Sequence, residues 1–401
     1  MDAIGHVDCD CFYVSAERVR YPHLRGVPVG VLGNQGACVI AKSYEMKAAG
    51  VATATAIWEA AKICPQAVYV KRDFAWYEVL SRKMLSLLRT VSPTVEYYSI
   101  DEMFFEAVEP TREFAHHLQQ RVLHEVGVPA SVGIARTKTL AKLASDAHKP
   151  LGCCVAITDD AVARLLVGTP VTEITGVARR SARKLAGHGI TTCDQFVAAD
   201  RRLIRQLLTK RGEDLWWELR GTPVIPIQTM RPEHKFISRG GSIGAATCDA
   251  RRVQAFIVRN TERLVEALDY HNFACETFLL RLQFKGGDWA ADRMTLPEAT
   301  ADYELLLEAA LKLLPRLWPR RVAVHYMHLV AGRLTGHRRR QRGLFILGDA
   351  RHQAIADVKR QINTAIGRFA LRSAATLPLV DVYGDESNAY DICDVYGKSC
   401  F

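Results

Sequence analysis

Two adjacent carboxylates, Asp101 and Glu102, interrupt an apolar stretch that spans residues 95–105. No lysine or arginine occurs between residues 90 and 111 to pair with them. A buried, ionised carboxylate is costly unless it is paired or coordinates a cation. Neighbouring residues of a strand point to opposite faces, so both carboxylates can reach one ion only at a turn. The stretch therefore predicts a hairpin with its tight connection at Ser99 to Glu102. Its tip is either a metal site or an ordinary solvated acidic turn.

Length and composition exclude several classes of protein. A chain of 401 residues is long enough for about three domains. A hydrophobic fraction of 49% is typical of a globular protein with a sizeable core. No apolar run approaches the ~20 residues of a membrane span. The first residues also lack the basic and apolar regions of a secretory signal. We therefore expect a cytoplasmic protein.

The cysteines and the charges narrow the class further. The eleven cysteines form no C-x-x-C pair and are odd in number, which is typical of reduced thiols rather than of disulfides or zinc ligands. Between His234 and Ala375 there are 23 basic and 13 acidic residues, a surplus of ten that equals the formal net charge of the whole chain, +10. This asymmetry indicates a polyanionic partner.

A second source of carboxylates lies near the N-terminus. Residues 4–10 predict a central strand that ends in acids, with Asp8 and Asp10 on one face, and a helix follows at once. On its own, Asp8 is better explained as a cap at the end of a strand. A strand-end carboxylate beside an acidic hairpin, however, supplies the oxygen ligands that divalent cations such as Mg²⁺ require.

The order of elements up to residue 134 is strand, helix, strand-turn-strand, helix, strand. This order predicts an α+β sheet with helices on one face. The first strand and the acidic hairpin would then lie side by side. That arrangement brings Asp8 within reach of Asp101 and Glu102.

Two groups of side chains could hold phosphates near such a site. Tyr44 and Lys47 share one face of a short helix, although Lys47 is as readily a solvated surface residue. Lys138, Lys142 and Lys149 recur at spacings of four and seven, which predicts a lysine stripe on one helix face. A stripe of this kind is usually solvated. Beside a carboxylate-metal cluster it would instead meet the phosphates that the metals bind.

The remaining segments indicate contact with nucleic acid. A glycine hairpin joins two helices at residues 174–190, and four basic residues in six positions favour a phosphate contact over a plain connector. After a proline-rich linker, a β-α-β-β-α-β pattern predicts one four-stranded sheet with helices on one face and a basic face left open. A basic loop at 338–342, a further helix and an acidic tail complete the chain.

These motifs resemble the Y family of translesion DNA polymerases. The resemblance rests on the order and spacing of four segments and extends to about residue 375: 7–13 (VDCDCFY), 43–47 (SYEMK), 98–102 (YSIDE) and 131–150. Within the family, residues 37–43 and the extension after residue 333 look most like the catalytic subunit of bacterial DNA polymerase V. The resemblance implies an α+β multidomain, right-hand polymerase with palm, fingers, helical thumb and a C-terminal β-α-β-β-α-β little finger.

The resemblance also implies domain boundaries and a function. The expected domains are the palm (1–12 and 73–168), fingers (13–72), helix-hairpin-helix thumb (169–222), linker (223–234), DNA-binding little finger with its C-terminal helix (235–375) and acidic tail (376–401). The implied function is addition of deoxynucleotides to a primer 3′ end opposite damaged template, at low fidelity, in DNA repair and the SOS response. Short fingers with small residues would cover the nascent base pair loosely.

Site residues follow from the same resemblance. Two Mg²⁺ ions, for which Mn²⁺ can substitute, would be held by three catalytic carboxylates and a backbone carbonyl: Asp8, Asp101, Glu102 and Cys9. Contacts to the incoming nucleotide are expected from Phe12, Tyr13, Tyr44, Lys47 and Lys149, where Tyr13 matches the aromatic gate that excludes a 2′-hydroxyl. DNA contacts are expected from Gly176, Ala178, Arg179, Arg281 and Arg333.

Three positions depart from the family pattern without removing a catalytic group: Lys47, Thr137 and Ala178 stand where arginine, asparagine and glycine are frequent. Expected partners are primer-template DNA and deoxynucleoside triphosphates, with a sliding clamp or a recombinase as further candidates, and no membrane. Two alternatives stay open. A palm-fold nucleotidyl cyclase would have no use for the basic C-terminal third, and a non-catalytic DNA-binding subunit of a repair complex should have lost one of the carboxylates.

Overall fold

The computed structural model describes residues 3–33, 38–230, 233–336 and 350–384. The chain divides into two compact units, with the boundary between residues 231 and 232. The expected basic loop at 338–342 and residues 385–401 of the acidic tail lie outside the described residues. No helix in the described ranges is long and apolar enough to cross a membrane. The nine cysteines within these ranges are free thiols.

The first unit contains two sheets and a series of helices. Its described strands are β1 (Ala3–Cys9), β2 (Val29–Leu32), β3 (Val39–Lys42), β4 (Val68–Lys71), β5 (Val95–Tyr97), β6 (Glu102–Ala107), β7 (Ala130–Ala135) and β8 (Cys153–Ala156). Its α-helices are α1 (Phe12–Arg20), α2 (Tyr44–Ala48), α3 (Ile57–Ile63), α4 (Phe74–Val91), α5 (Arg112–Arg121), α6 (Lys138–Asp146), α7 (Asp159–Leu166), α8 (Arg179–Ala186), α9 (Cys193–Ala198) and α10 (Arg201–Leu219).

The larger sheet of this unit has the strand order β5-β6-β1-β7-β8. Strand β1 pairs antiparallel with both neighbours, and β8 runs parallel to β7. Helices cover both faces: Cys9 Sγ lies 3.3 Å from Met84 Sδ of α4, and His6 Nδ1 lies 2.7 Å from Ser145 Oγ of α6. The expectation of helices on a single face is therefore wrong for this sheet. Every residue of β1 is buried, so both faces of the strand need cover.

The smaller sheet has the order β3-β2-β4, and the short helices α2 and α3 lie between β3 and β4 in the chain. Ser43 begins α2 as the sequence predicts, because its Oγ accepts a hydrogen bond from Met46 N. Further along, Gly176 adopts a φ of +102° ahead of α8, a conformation that favours glycine. Helix α10 is interrupted at Thr209, whose φ is 66°.

The second unit has one four-stranded sheet. Its strands are β9 (Phe236–Thr247), β10 (Phe273–Phe284), β11 (Trp289–Thr300) and β12 (Val324–Gly336), and its helices are α11 (Ala250–Tyr270), α12 (Tyr303–Leu317), α13 (Ala350–Ile366) and α14 (Val380–Tyr383). The sheet is antiparallel with the order β11-β10-β12-β9. Alternate residues of β12, including Met327 and Leu329, join the core that α11 and α12 close. The predicted β-α-β-β-α-β pattern is confirmed.

Candidate metal centre and nucleotide site

The register of β1 and β6 brings two predicted carboxylates together, because Asp8 stands opposite Glu102. Asp101 lies in the turn just before Glu102. Its backbone oxygen accepts from Cys9 N at 2.9 Å, and its side chain accepts from Ser99 Oγ at 2.6 Å. Ser99 N donates to the Glu102 backbone oxygen at 2.9 Å and closes the hairpin. These bonds hold the hairpin tip against the end of β1, so the three carboxylates lie at one end of the sheet.

Two lysines contact these carboxylates. Lys142 Nζ, on α6, lies 2.9 Å from Glu102 Oε2 and 3.6 Å from Asp8 Oδ2. Lys149 Nζ lies 2.8 Å from Asp8 Oδ1. The ammonium groups neutralise part of the negative charge at the point where the acidic side chains converge.

The expected lysine stripe is only partly formed. Helix α6 ends at Asp146, so Lys149 lies beyond the helix and reaches the cluster from the following segment. Lys138 lies one turn before Lys142, roughly 6 Å along the axis. Its Nζ donates instead to the buried carboxylate of Glu96 at 2.6 Å. Lys138 and Lys142 lie on the same side of α6, but they lie at different positions along the helix axis. Of these two, only Lys142 therefore reaches the carboxylates of Asp8 and Glu102.

Burial changes the protonation of the cluster. Burial raises the pKa of Asp8 to about 7, against the opposing charge of Lys149. Burial also acts to raise the pKa of Glu102, yet this pKa is held well below its usual range. We assign that lowering to Lys142, because His6 Nε2 is 3.7 Å from Glu102 Oε2, beyond hydrogen-bond distance. Burial lowers the pKa of His6 to about 4, so its ring is neutral at pH 7.

The donor atoms fit a divalent cation. The His6 ring nitrogen and one carboxylate oxygen each from Asp8 and Glu102 all lie within 4.8 Å of one another. Carboxylate oxygens are the ligands that hard divalent cations prefer, and a shared cation offsets the cost of burying both carboxylates. Sequence reasoning missed His6. Its position two residues before Asp8 on a strand was the signal, because such residues share a face.

Asp10 organises the surroundings of the centre. Its carboxylate accepts hydrogen bonds from Leu151 N at 2.8 Å, from Ser131 Oγ at 3.0 Å and from the Tyr44 hydroxyl at 3.4 Å. Burial raises the pKa of Asp10 although these bonds oppose the change. The residue therefore ties α2 and the segment after α6 to the end of β1. The alternation of side chains along the predicted strand placed Asp10 on the same face as Asp8. It suggested no role for Asp10.

The predicted nucleotide contacts lie around α1 and α2. Phe12 begins α1 and is buried, whereas Lys47 is exposed in the last turn of α2. The Tyr13 ring stacks on the Tyr77 ring with centroids 4.7 Å apart and an interplanar angle of 16°. The Tyr77 hydroxyl donates to Glu17 Oε1 at 2.7 Å. The Tyr13 ring is therefore packed against Tyr77 of α4 beside the start of α1.

The predicted DNA contacts are divided between the two units. Gly176, Ala178 and Arg179 are exposed at the hairpin that leads into α8, where Ala178 is the N-cap. Arg281 is exposed on β10, and Arg333 is exposed on β12. Each unit therefore exposes at least one of the arginines that the sequence predicts to contact DNA.

Known proteins share these features. The impB/mucB/samB family model matches residues 7–146, and the model of the C-terminal domain of that family matches residues 234–344. DNA polymerase IV of Exiguobacterium sibiricum is 31% identical over an alignment that covers 77% of this chain and 88% of that protein. The chain belongs to this family, the Y family of translesion DNA polymerases. It is accordingly a DNA-directed DNA polymerase of the translesion type.

Two further known proteins are similar to this chain over most of its length. DNA polymerase IV 1 of Bacillus subtilis is 28% identical over 93% of both chains. The solved structure of a Y-family DNA polymerase chimera has a TM-score of 0.71 at 22% identity and covers 83% of this chain and 99% of that chain. This likeness confirms the right-hand architecture of palm, fingers, thumb and little finger.

Membership of the family implies primer-template DNA and nucleotides as substrates, and a requirement for divalent metal ions. The relatives found are named DNA polymerase IV. The special likeness to the catalytic subunit of DNA polymerase V, expected from residues 37–43, stays a prediction.

Proposed function

We propose that this Y-family polymerase extends a primer opposite damaged template by a two-metal-ion transfer that uses Mg²⁺. The observation that carries the proposal is the register of β1 and β6, which sets Asp8 opposite Glu102 with Asp101 fixed in the adjoining turn. The backbone carbonyl of Cys9, at the end of the same strand, is the further oxygen ligand. Mn²⁺ can substitute because it also accepts carboxylate and carbonyl oxygens.

The role of the chain is to hold the ions and both substrates in line. When bound, Mg²⁺ would activate the primer 3′-hydroxyl and neutralise charge on the triphosphate. The 3′-hydroxyl loses its proton to solvent and its oxygen forms a bond to the α-phosphorus, while the bond from that phosphorus to pyrophosphate breaks. Asp8, Asp101 and Glu102 would hold the ions, together with the backbone carbonyl of Cys9. Lys149, which contacts Asp8 at 2.8 Å, would supply positive charge to the triphosphate.

The incoming nucleotide is held from α1 and α2. Tyr44 and Lys47 contact the triphosphate, and the Phe12 backbone N–H donates to it. Tyr13 lies under the sugar and excludes a 2′-hydroxyl. The stack of Tyr13 on Tyr77 supports this role, because a ring packed against Tyr77 cannot move aside for the 2′-hydroxyl of a ribonucleotide.

DNA is held by both units through the exposed residues described above. Arg179 and the backbone at Gly176 and Ala178 would contact phosphates from the thumb, and Arg281 and Arg333 would do so from the little finger. The proposed domain boundaries are 1–12 and 73–168 for the palm, 13–72 for the fingers, 169–222 for the thumb, 223–234 for the linker, 235–375 for the little finger and 376–401 for the tail.

A paired substitution tests the metal centre. Asp101→Ala combined with Glu102→Ala should abolish Mg²⁺-dependent primer extension on damaged and undamaged templates, because two of the three carboxylates are lost. Glu106→Ala combined with Glu109→Ala is the matched control. It removes two exposed carboxylates from the same hairpin region and should extend primers at the wild-type rate. Undiminished extension by the Asp101/Glu102 variant would refute the proposed centre.

A separate substitution tests Tyr13 as the gate that excludes a 2′-hydroxyl. Tyr13→Ala should increase ribonucleotide incorporation relative to deoxynucleotide incorporation, measured with one nucleotide at a time on a primed template. An unchanged preference for deoxynucleotides would exclude Tyr13 as the gate.

The two alternatives are not favoured. The family match at both ends of the chain argues against a nucleotidyl cyclase, and the presence of all three carboxylates argues against a non-catalytic repair subunit. Binding to a sliding clamp or a recombinase, and a cytoplasmic location, stay predictions.

A further inference from the structure

His6 has a defined tautomer because of its buried neighbours. Its side chain is fully buried, and its ring lies 4.4 Å from that of Phe104. Nδ1 lies 2.7 Å from Ser145 Oγ, and the same hydroxyl donates to the Lys142 backbone oxygen at 2.8 Å. A serine hydroxyl has one hydrogen. Both bonds form only if Nδ1 carries the ring proton and Nε2 keeps its lone pair.

A charged group, the carboxylate of Glu102, lies close to that lone pair. Nε2 is buried, finds no hydrogen-bond partner among the described residues, and lies 3.7 Å from Glu102 Oε2. A buried acceptor without a donor is costly, and one that faces a carboxylate oxygen is repelled by it. A cation bound between His6 Nε2 and Glu102 Oε2 would replace this repulsion with two metal–ligand bonds.

We infer that His6 Nε2 is a direct ligand of a divalent transition-metal ion, such as Mn²⁺, shared with Asp8 and Glu102. This inference rests on the proposed metal centre and adds a nitrogen ligand to its oxygen ligands. Metal–ligand bonds of about 2.1 Å separate two ligands by ~3.0 Å at a right angle and by ~4.2 Å when they are opposite. The observed 3.7 Å lies between these limits.

The nitrogen changes which ions the centre prefers. Imidazole suits transition-metal ions, whereas Mg²⁺ selects oxygen ligands. His6 therefore stabilises bound Mn²⁺ more than bound Mg²⁺. Lys142 competes for the same position, since its ammonium lies 2.9 Å from Glu102 Oε2 and 3.6 Å from Asp8 Oδ2. An ion bound there displaces the ammonium.

Pulsed electron paramagnetic resonance of the full chain with Mn²⁺ alone tests the inference. Wild type should show coupling of bound Mn²⁺ to an imidazole ¹⁴N nucleus. His6→Phe should lose this coupling and weaken Mn²⁺ binding roughly tenfold or more, with Mg²⁺ binding little changed. Phenylalanine keeps the ring contact with Phe104, and Ser145 can still donate to Lys142, so the variant leaves no buried donor unsatisfied.

Two further variants complete the design. His116→Gln removes an exposed imidazole on α5 and should keep both the coupling and the affinity. Lys142→Met should bind Mn²⁺ more tightly and keep the coupling, which tests the same geometry with His6 intact if His6→Phe does not fold. Absence of ¹⁴N coupling in wild type, its persistence in His6→Phe, or weaker Mn²⁺ binding by Lys142→Met would overturn the inference.

Primer extension by the wild type in Mg²⁺ separates this inference from the proposed function. Extension without nitrogen coupling would overturn the role of His6 alone. Nitrogen coupling without extension would overturn the proposed function and leave His6 as a ligand.

Discussion

A methyl group added at Gly133 would push α6 away from the sheet. Gly133 lies on β7, and a Cβ built there would be 2.1 Å from the Ala141 backbone oxygen and 2.3 Å from Ser145 N. Both atoms belong to the backbone of α6, so no side-chain rotation can relieve the clash. Real Cβ contacts are essentially never under 3.0 Å, so the helix must move by about 0.9 Å, the difference between 3.0 and 2.1 Å.

The cost follows from this displacement. Overpacking of a well-packed core costs about 1–3 kcal/mol. In a unit of this size each kcal/mol lowers the melting temperature by about 2–4 °C, so Gly133→Ala should lower it by about 2–12 °C. Helix α6 also carries Ser145, whose hydroxyl lies 2.7 Å from Nδ1 of His6 on β1, the strand that carries Asp8. A displacement of about 1 Å at an active site lowers the reaction rate roughly 100-fold, so the rate of primer extension should fall by about that factor.

Thermal unfolding and single-nucleotide primer extension measure the two effects. Gly336→Ala is the matched control, because no described atom lies within 4 Å of its added Cβ. The control should melt and extend primers like the wild type. If Gly133→Ala matched the control in both assays, the close packing of β7 against α6 would not govern the geometry of the metal centre.

Three further outcomes are expected. Lys138→Met should lower the free energy of unfolding in urea by about 3 kcal/mol, because the buried Glu96 loses its ammonium partner at 2.6 Å; a loss below about 1 kcal/mol would contradict this. Without divalent ions, the folded protein binds a proton on Asp8 (pKa about 7) more tightly than the unfolded chain does. The stability from this group is complete below about pH 4 and is lost as the pH rises through 7. Asp8→Asn should therefore gain stability relative to wild type over that interval, and a constant difference would disprove the assignment. Tyr77→Leu should raise ribonucleotide incorporation, because Tyr13 loses its stacked support, whereas Tyr77→Phe should not; equal selectivity in both variants would count against the support.

The acidic hairpin shows why part of the site was predictable. Adjacent carboxylates in an apolar stretch imply a turn, and the short apolar segment ending at Asp8 implies a neighbouring strand. Both features are local, and the register of β1 with β6 confirms the pairing that they suggest. The lysines were less predictable. Lys138 shares a helix face with Lys142, yet only the position of Glu96 decides that its ammonium turns away from the hairpin.

The sequence by itself determined the order of the elements, the β-α-β-β-α-β unit and the three carboxylates, because hydrophobic periodicity and turn residues act over short distances along the chain. The tertiary structure alone decided which polar groups meet around those carboxylates. His6 and its partner Ser145 are 139 residues apart, and Asp10 and Leu151 are 141 apart. Such contacts depend on how α6 and the segment after it pack against one face of β1. Side-chain packing between distant segments, rather than local propensity, therefore aims the imidazole at Glu102 and places two ammonium groups beside the acids.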